Sequence, residues 1–256
     1  MLQYHARTFD LLGTQPGVSP SALELLDQLE KRISRPLPAS VREWYQLSGA
    51  CEILLQYSNA DRPVDLAHLG EPEKDTSGGG PHDLVARNLL LFRWENQGVC
   101  TWAICLDGSD DPPVLVDVDT QFRTWTRCSD SFSKHVYSWV WDYSLVVGTS
   151  HSNNLLIETE NLLFPEQTLD FLKNHFHAEL VTYGWPGATQ YRFFTEDQRI
   201  LIWVDEGYAN WFLAATSEDA LTNLVSKLGP LNSLRSAMFS DTPAVQKVLE
   251  RVRVGR

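Results

Sequence analysis

Cysteine is scarce in this sequence, long apolar runs are missing, and so are the short motifs that mark common catalytic sites. Cys51, Cys100, Cys105 and Cys128 are too few to staple a chain of 256 residues with disulfides. No two of them are separated by two residues, which removes the usual zinc and thioredoxin-type spacings. No uninterrupted apolar stretch exceeds five residues, Ile200 to Val204 being one, against the ~18 needed to span a bilayer. The first residues include Arg7 and Asp10 and lack the basic start and apolar stretch of a secretory signal. There is no Gly-x-Ser-x-Gly elbow, no Walker-type phosphate loop and no His-Glu-x-x-His. Basic residues are also outnumbered, 21 Lys and Arg against 33 Asp and Glu, for a formal charge of −12. A surface of that sign repels phosphate backbones and favours a basic partner. Together these absences lead us to expect a cytoplasmic, non-enzymatic chain with no cofactor and no membrane partner, and they speak against direct nucleic-acid binding.

What is present is an aromatic-rich globular composition, 43% hydrophobic and 11% aromatic. Residues 1–18 lack periodicity and read as a leader. Ser21 and Glu24 fit a capping box for a helix carrying Leu23, Leu26, Leu29 and Ile33, which Pro36 and Pro38 must stop. Val41, Trp44, Tyr45 and Ser48 predict a second helix with Gly49 as its C-cap. Residues 59–83 read as loop. Leu89–Trp94, Val99–Leu106 and Val114–Val118 predict strands, the last two joined by the turn Asp107 to Pro112. A short strand at Phe122–Arg127 and a helix from Ser131 or Ser133 to Val147 follow. The small, polar stretch 148–154 is the expected boundary. Beyond it, a helix at 165–176, strands at 178–183, 189–195, 199–205 and 210–215, and a helix at 220–228 predict a second unit. The fold class expected is therefore α+β, with mainly antiparallel sheets, because the links between strands are too short for parallel crossovers.

The stretch Leu37-Pro38-Ala39-Ser40-Val41-Arg42-Glu43-Trp44-Tyr45-Gln46-Leu47-Ser48-Gly49 resembles the "LP, helix, NG" opening of the SUKH superfamily, with Ser48 where asparagine is usual. Phe92 to Asp119, with Glu95-Asn96-Gln97-Gly98, Trp102 and Asp110-Asp111-Pro112-Pro113-Val114, is similar to the family's sheet and acidic hairpin. Ser131-Phe132-Ser133, opening a helix that passes Trp141-Asp142-Tyr143, looks like its closing helix. The resemblance covers residues 19–148, and residues 149–256 form a C-terminal α+β domain outside it. It implies binding rather than chemistry, since many bacterial SUKH proteins neutralise secreted toxins, often nucleases, and fungal relatives regulate cell-wall synthesis. The expected function is thus an immunity-type protein that neutralises a basic toxin. The alternatives are a regulatory scaffold, or an enzyme whose site is assembled from dispersed residues.

Six acids, Glu95, Asp107, Asp110, Asp111, Asp117 and Asp119, lie between Arg93 and Arg123 with no Lys or Arg among them. They are the expected partner-binding set, with Trp185 and Trp211 as the exposed aromatics beside them. The bland reading of the acids is a solvated edge that discourages strand pairing, and that of the tryptophans is packing. Other candidates are thinner. Gly78-Gly79-Gly80 has no following Lys-Ser and reads as a linker. His175 and His177 would project about 200° apart on a helix, so they could not share a metal there. Asp205-Glu206 reads as a turn, and Cys128 near Asp130 and His135 as a buried thiol.

Overall fold

The computed structural model describes residues 2–73, 82–118, 121–146, 154–183, 188–231, 234, 238–240 and 242–254. The chain divides between Trp141 and Asp142 into two units, both α+β with antiparallel sheets. The expected boundary at 148–154 lies, apart from Asn154, outside the described residues.

In the first unit, the segment with no periodicity carries α1 (Ala6–Leu12), which buries Thr8 and Phe9 and ends at Gly13 in a left-handed conformation. Helix α2 (Pro20–Ile33) is capped by Ser19, whose hydroxyl accepts from the Ala22 amide, and not by Ser21. Proline at the first helical position explains the shift, because its missing N–H is one the helix leaves unused. Helix α3 (Ala39–Tyr45) begins after Pro38 as expected. The C-cap of α3 is Gln46, not Gly49 as expected; Gly49, with φ 82°, is instead the N-cap of α4 (Ala50–Gln56). The short strand β1 (Arg62–Pro63) lies in the stretch read as loop. Residues 74–81 of that stretch, which include the glycine triplet, lie outside the described residues.

Strands β2 (Leu89–Trp94), β3 (Thr101–Cys105), β4 (Val114–Asp117) and β5 (Trp125–Ser129) complete a five-stranded antiparallel sheet in the order β1-β2-β3-β4-β5. Leu90, Phe92, Trp102, Ile104, Val114 and Val116 pack in one core with Leu26, Leu29, Val41, Trp44 and Phe132. Leu89, Leu91 and Ala103 pack on the opposite face with Leu84 and Phe122. A strand covered on both faces reads as an unbroken apolar run, which is how Leu89 to Phe92 appears in sequence. Helix α5 (Phe132–Val146) closes the unit and runs across the division.

The second unit starts its sheet with β6 (Leu155–Leu163), a strand the sequence reading passed over. Its alternation is broken by Glu158, Glu160 and Asn161, and its pairing with a later strand shifts register at Ala209/Trp211. Helix α6 (Glu166–His175) follows, then the two-residue pieces β7 (His177–Ala178) and β8 (Thr182–Tyr183). The long strands β9 (Thr189–Phe194), β10 (Gln198–Asp205) and β11 (Tyr208–Ala215) form a meander, in the order β6-β11-β10-β9-β7 with β8 also on β9. Ser217 caps α7 (Glu218–Lys227) through the Ala220 amide. The tail forms a further helix, α8 (Pro243–Val254), which buries Val245, Val248 and Leu249 against α7 and the sheet.

Candidate functional site

The six expected partner-binding acids have separate local roles. Glu95 is 8% exposed, and its carboxylate accepts from the amides of Gln97 and Val99, shaping the β2–β3 turn. Asp117 is fully buried and accepts from the Phe122 amide at 2.6 Å. These two are corrections to the expectation of a surface patch: strand-end carboxylates that hold their own turns are drawn inward by the amides they serve. Asp107 is exposed and accepts from the amide and hydroxyl of Ser109, which holds its carboxyl below the ordinary value. Asp110 is exposed and Asp111 half-buried. Asp119 and Trp185 lie outside the described residues. Trp211 is 2% exposed, against the expectation of an exposed aromatic. It shares the inward face of β11 with Ala209, Leu213 and Ala215, every second residue along the strand.

The pair Asp110-Asp111 nevertheless sits at a junction. The Asp110 carbonyl accepts from the Ser40 amide at 2.8 Å, which fastens the β3–β4 loop to the first turn of α3. The Asp111 carboxylate accepts from the Ser133 amide at 2.9 Å and the Ser133 hydroxyl at 2.5 Å, at the first turn of α5. One turn along α3, Glu43 accepts from the amides of Gln3, Tyr4 and His5 at 2.6, 2.8 and 2.9 Å. Tyr4 is close enough to Asp110, Asp111 and Glu43 for all three to add to desolvation in pushing its hydroxyl above the ordinary value. The result is an acidic face on the first unit, built from the β3–β4 loop, α3 and the entry to α1.

Beneath the sheet lies a buried charge that sequence reasoning missed. Simple alternation would put Arg93 on the same face as Leu91. A bulge between Leu91 and Arg93 instead pairs Arg93 with Trp102 and turns it into the main core. The guanidinium is 0% exposed, with its central carbon 3.7 Å from the Trp102 ring centroid and 3.1 Å from that of Trp139. Asp61, 2% exposed, brings a carboxylate oxygen to 3.9 Å and also accepts from the Asn96 amide. Burial pushes the Asp61 carboxyl up, and Arg93 opposes that shift. A cation held between two indoles and beside a carboxylate fixes the sheet against α5. At 0% exposure, its contacts are with the protein interior. The bulge is the signal that sequence lacks, because register is not visible before strands pair.

The remaining candidates are placed as follows. Cys128 and His135 are buried with Sγ and Nδ1 3.7 Å apart, and Cys100 is pushed up to about 12 by burial, a neutral thiol rather than a nucleophile. His175 Nδ1 donates to the Phe171 carbonyl and its ring stacks on the Phe171 ring, while His177 lies tilted against Phe194. Among the described residues no group of three His, Cys, Asp or Glu could hold a metal ion. Asp205 ends β10 and Glu206 takes a left-handed turn conformation. No helix among the described residues is long and apolar enough to cross a membrane.

No family model, curated protein or solved structure matches the chain.

The described features of the site are an acidic face at Asp107, Asp110, Asp111 and Glu43 with a hydrogen-bonded backbone.

Proposed function

We propose that this chain is a SUKH-type immunity protein, which acts in the cytoplasm by binding and occluding a basic toxin, a nuclease being the class that best suits an acidic inhibitor. The observation that carries the reading is the junction at Asp110-Asp111. The three stretches that resemble the family meet there through hydrogen bonds: the opening helix through Ser40, the acidic hairpin itself, and the closing helix through Ser133. An acidic loop pinned to two helices at adjacent residues is preorganised, and preorganisation lowers the entropy lost on binding. Its exposed carboxylates, Asp107 and Asp110, are placed to steer a cationic surface, an effect worth ~10- to 10³-fold in association rate at low salt.

The test is co-expression with a toxin encoded beside this gene. Growth restored by the chain, and lost on reversing Asp107 and Asp110 to lysine, supports the reading. Unrelieved toxicity counts against it, and a partner encoded elsewhere in the genome with no toxicity favours a regulatory scaffold.

A further inference from the structure

Strand register in the second unit fixes what each face of its sheet carries. Helices α7 and α8 pack on the face that holds Ile157, Ile202, Trp211 and Leu213. The residues between these point to the opposite face. There Arg192, Leu201, Phe212 and Glu158 stand side by side across β9, β10, β11 and β6. Phe239 extends that row, exchanging both backbone hydrogen bonds with Glu158. Toward the β10–β11 turn, Trp203 pairs with Asn210, and beyond them Tyr208 lies between Asp205 and Leu163.

Burial falls across this face in one direction. Arg192 is 1% exposed and Leu201 0%, Phe212 is half-buried, and Phe239, Tyr208 and Leu163 are 42, 50 and 70% exposed. The register shift between Ala209 and Trp211 explains Leu163, because it keeps Leu162 beside Ala209 on the core face and turns its neighbour outward beside Tyr208. Trp203 and Phe212 meet edge to face with centroids 5.1 Å apart, which links Tyr208 and Leu163 to Phe239 in one strip over β11 and β6. Exposed apolar side chains grouped in this way mark an interaction surface.

Charge decides what covers it. Glu158 sits within the strip, Asp205 beside Tyr208, and Glu206 in the adjoining turn. The cations of this face lie away from it: Arg192 is closed in its pair with Asp142, and Arg199 donates to the Ser144 hydroxyl. A second copy packed on a two-fold axis would set the acids against their own equivalents. A basic partner would meet them with opposite charge. Helices already cover the other face of this sheet, and a helix is the element that a sheet face of this kind packs against.

We propose that the strip over β6 and β11 docks a basic amphipathic helix of a partner protein. Its apolar side chains lie on Leu163, Tyr208 and Phe239, and its Lys or Arg side chains lie beside Asp205 and Glu158. The strip shares no residue with the Asp110-Asp111 junction, so it stands or falls separately from toxin binding.

The probe is an acetylated peptide of about four helical turns, leucine along one face and lysine along the other, titrated into the full chain by calorimetry at physiological salt. The expected result is saturable one-to-one binding. Affinity falls about tenfold or more when Leu163 and Tyr208 are both replaced by serine, as for loss of a central apolar contact, and about threefold in Asp205→Lys. Both positions are exposed, so the melting temperature of the serine variant stays at that of the parent. Reversing Asp107 and Asp110 to lysine changes the affinity by less than about twofold, since charges that far from the strip are screened. Absence of saturable binding, undiminished affinity in the serine variant, equal binding of a leucine–glutamate peptide, or a dimer of the chain itself that the serine variant dissolves would each overturn the proposal.

Discussion

Asp111 holds Ser133 with both carboxylate oxygens, one on the amide and one on the hydroxyl, at 2.9 and 2.5 Å. The pair spans 22 residues and joins the tip of a hairpin to the start of a helix. It acts as an N-cap supplied from a distant loop, satisfying a donor that the first turn of a helix leaves open. Asp111→Ala is therefore expected to cost about 1 kcal/mol in urea unfolding. The neighbouring Asp110→Ala, which keeps the backbone bond to Ser40, should stay within about 0.5 kcal/mol of the parent.

Arg93 is a test of the buried core. Removing it leaves Asp61 without the cation that opposes its desolvation and opens space between Trp102 and Trp139. Arg93→Ala should lose about 3–5 kcal/mol by chemical denaturation. Arg93→Met, which keeps most of the volume, should lose less when Asp61 is replaced by Asn in the same chain.

The second unit has its own buried pair. Arg192, 1% exposed, binds Asp142 through Nε and Nη2 at 2.6 Å each, and its guanidinium also reaches Gln190 and the Leu180 carbonyl. Burial pushes the Asp142 carboxyl up while Arg192 holds it down. Arg192→Ala is expected to destabilise by more than about 3 kcal/mol, and the paired replacement Asp142→Leu with Arg192→Met to restore most of that loss.

His5 sets a pH dependence. It is fully buried between Trp44 and Phe132, with Nε2 on the Ser40 carbonyl, and burial lowers its pKa from 6.5 against the opposing pull of the Ser40 carbonyl, Glu43 and Asp111. The unfolded chain therefore binds the proton more readily than the folded one. Stability from this group is complete above pH 6.5 and falls as pH drops below it. Urea midpoints measured from pH 7.5 to 5 should decline in the parent and decline less in His5→Gln.

Much of this architecture was legible in the residues, and the exceptions have physical causes. The strands Leu89–Trp94 and Val114–Asp117 follow from β-branched and apolar runs. Strand β6 escaped because Glu158, Glu160 and Asn161 interrupt its apolar pattern. Helix α8 escaped because its charged residues dominate the tail while Val245, Val248 and Leu249 supply the buried stripe. At the candidate site, sequence located the acidic loop but placed Glu95 and Asp117 on the surface, since which carboxylate turns inward depends on which amides the folded loop presents. Arg93 could not be placed inside without knowing the bulge.

The central claim is that this chain works by occupying another protein through its acidic loop. The most direct measurement is the association rate of the purified chain with the toxin it is proposed to bind, across a salt series. The account predicts a rate that falls steeply with ionic strength and drops about tenfold at low salt when Asp107 and Asp110 become lysine. A rate indifferent to both salt and those substitutions would contradict it.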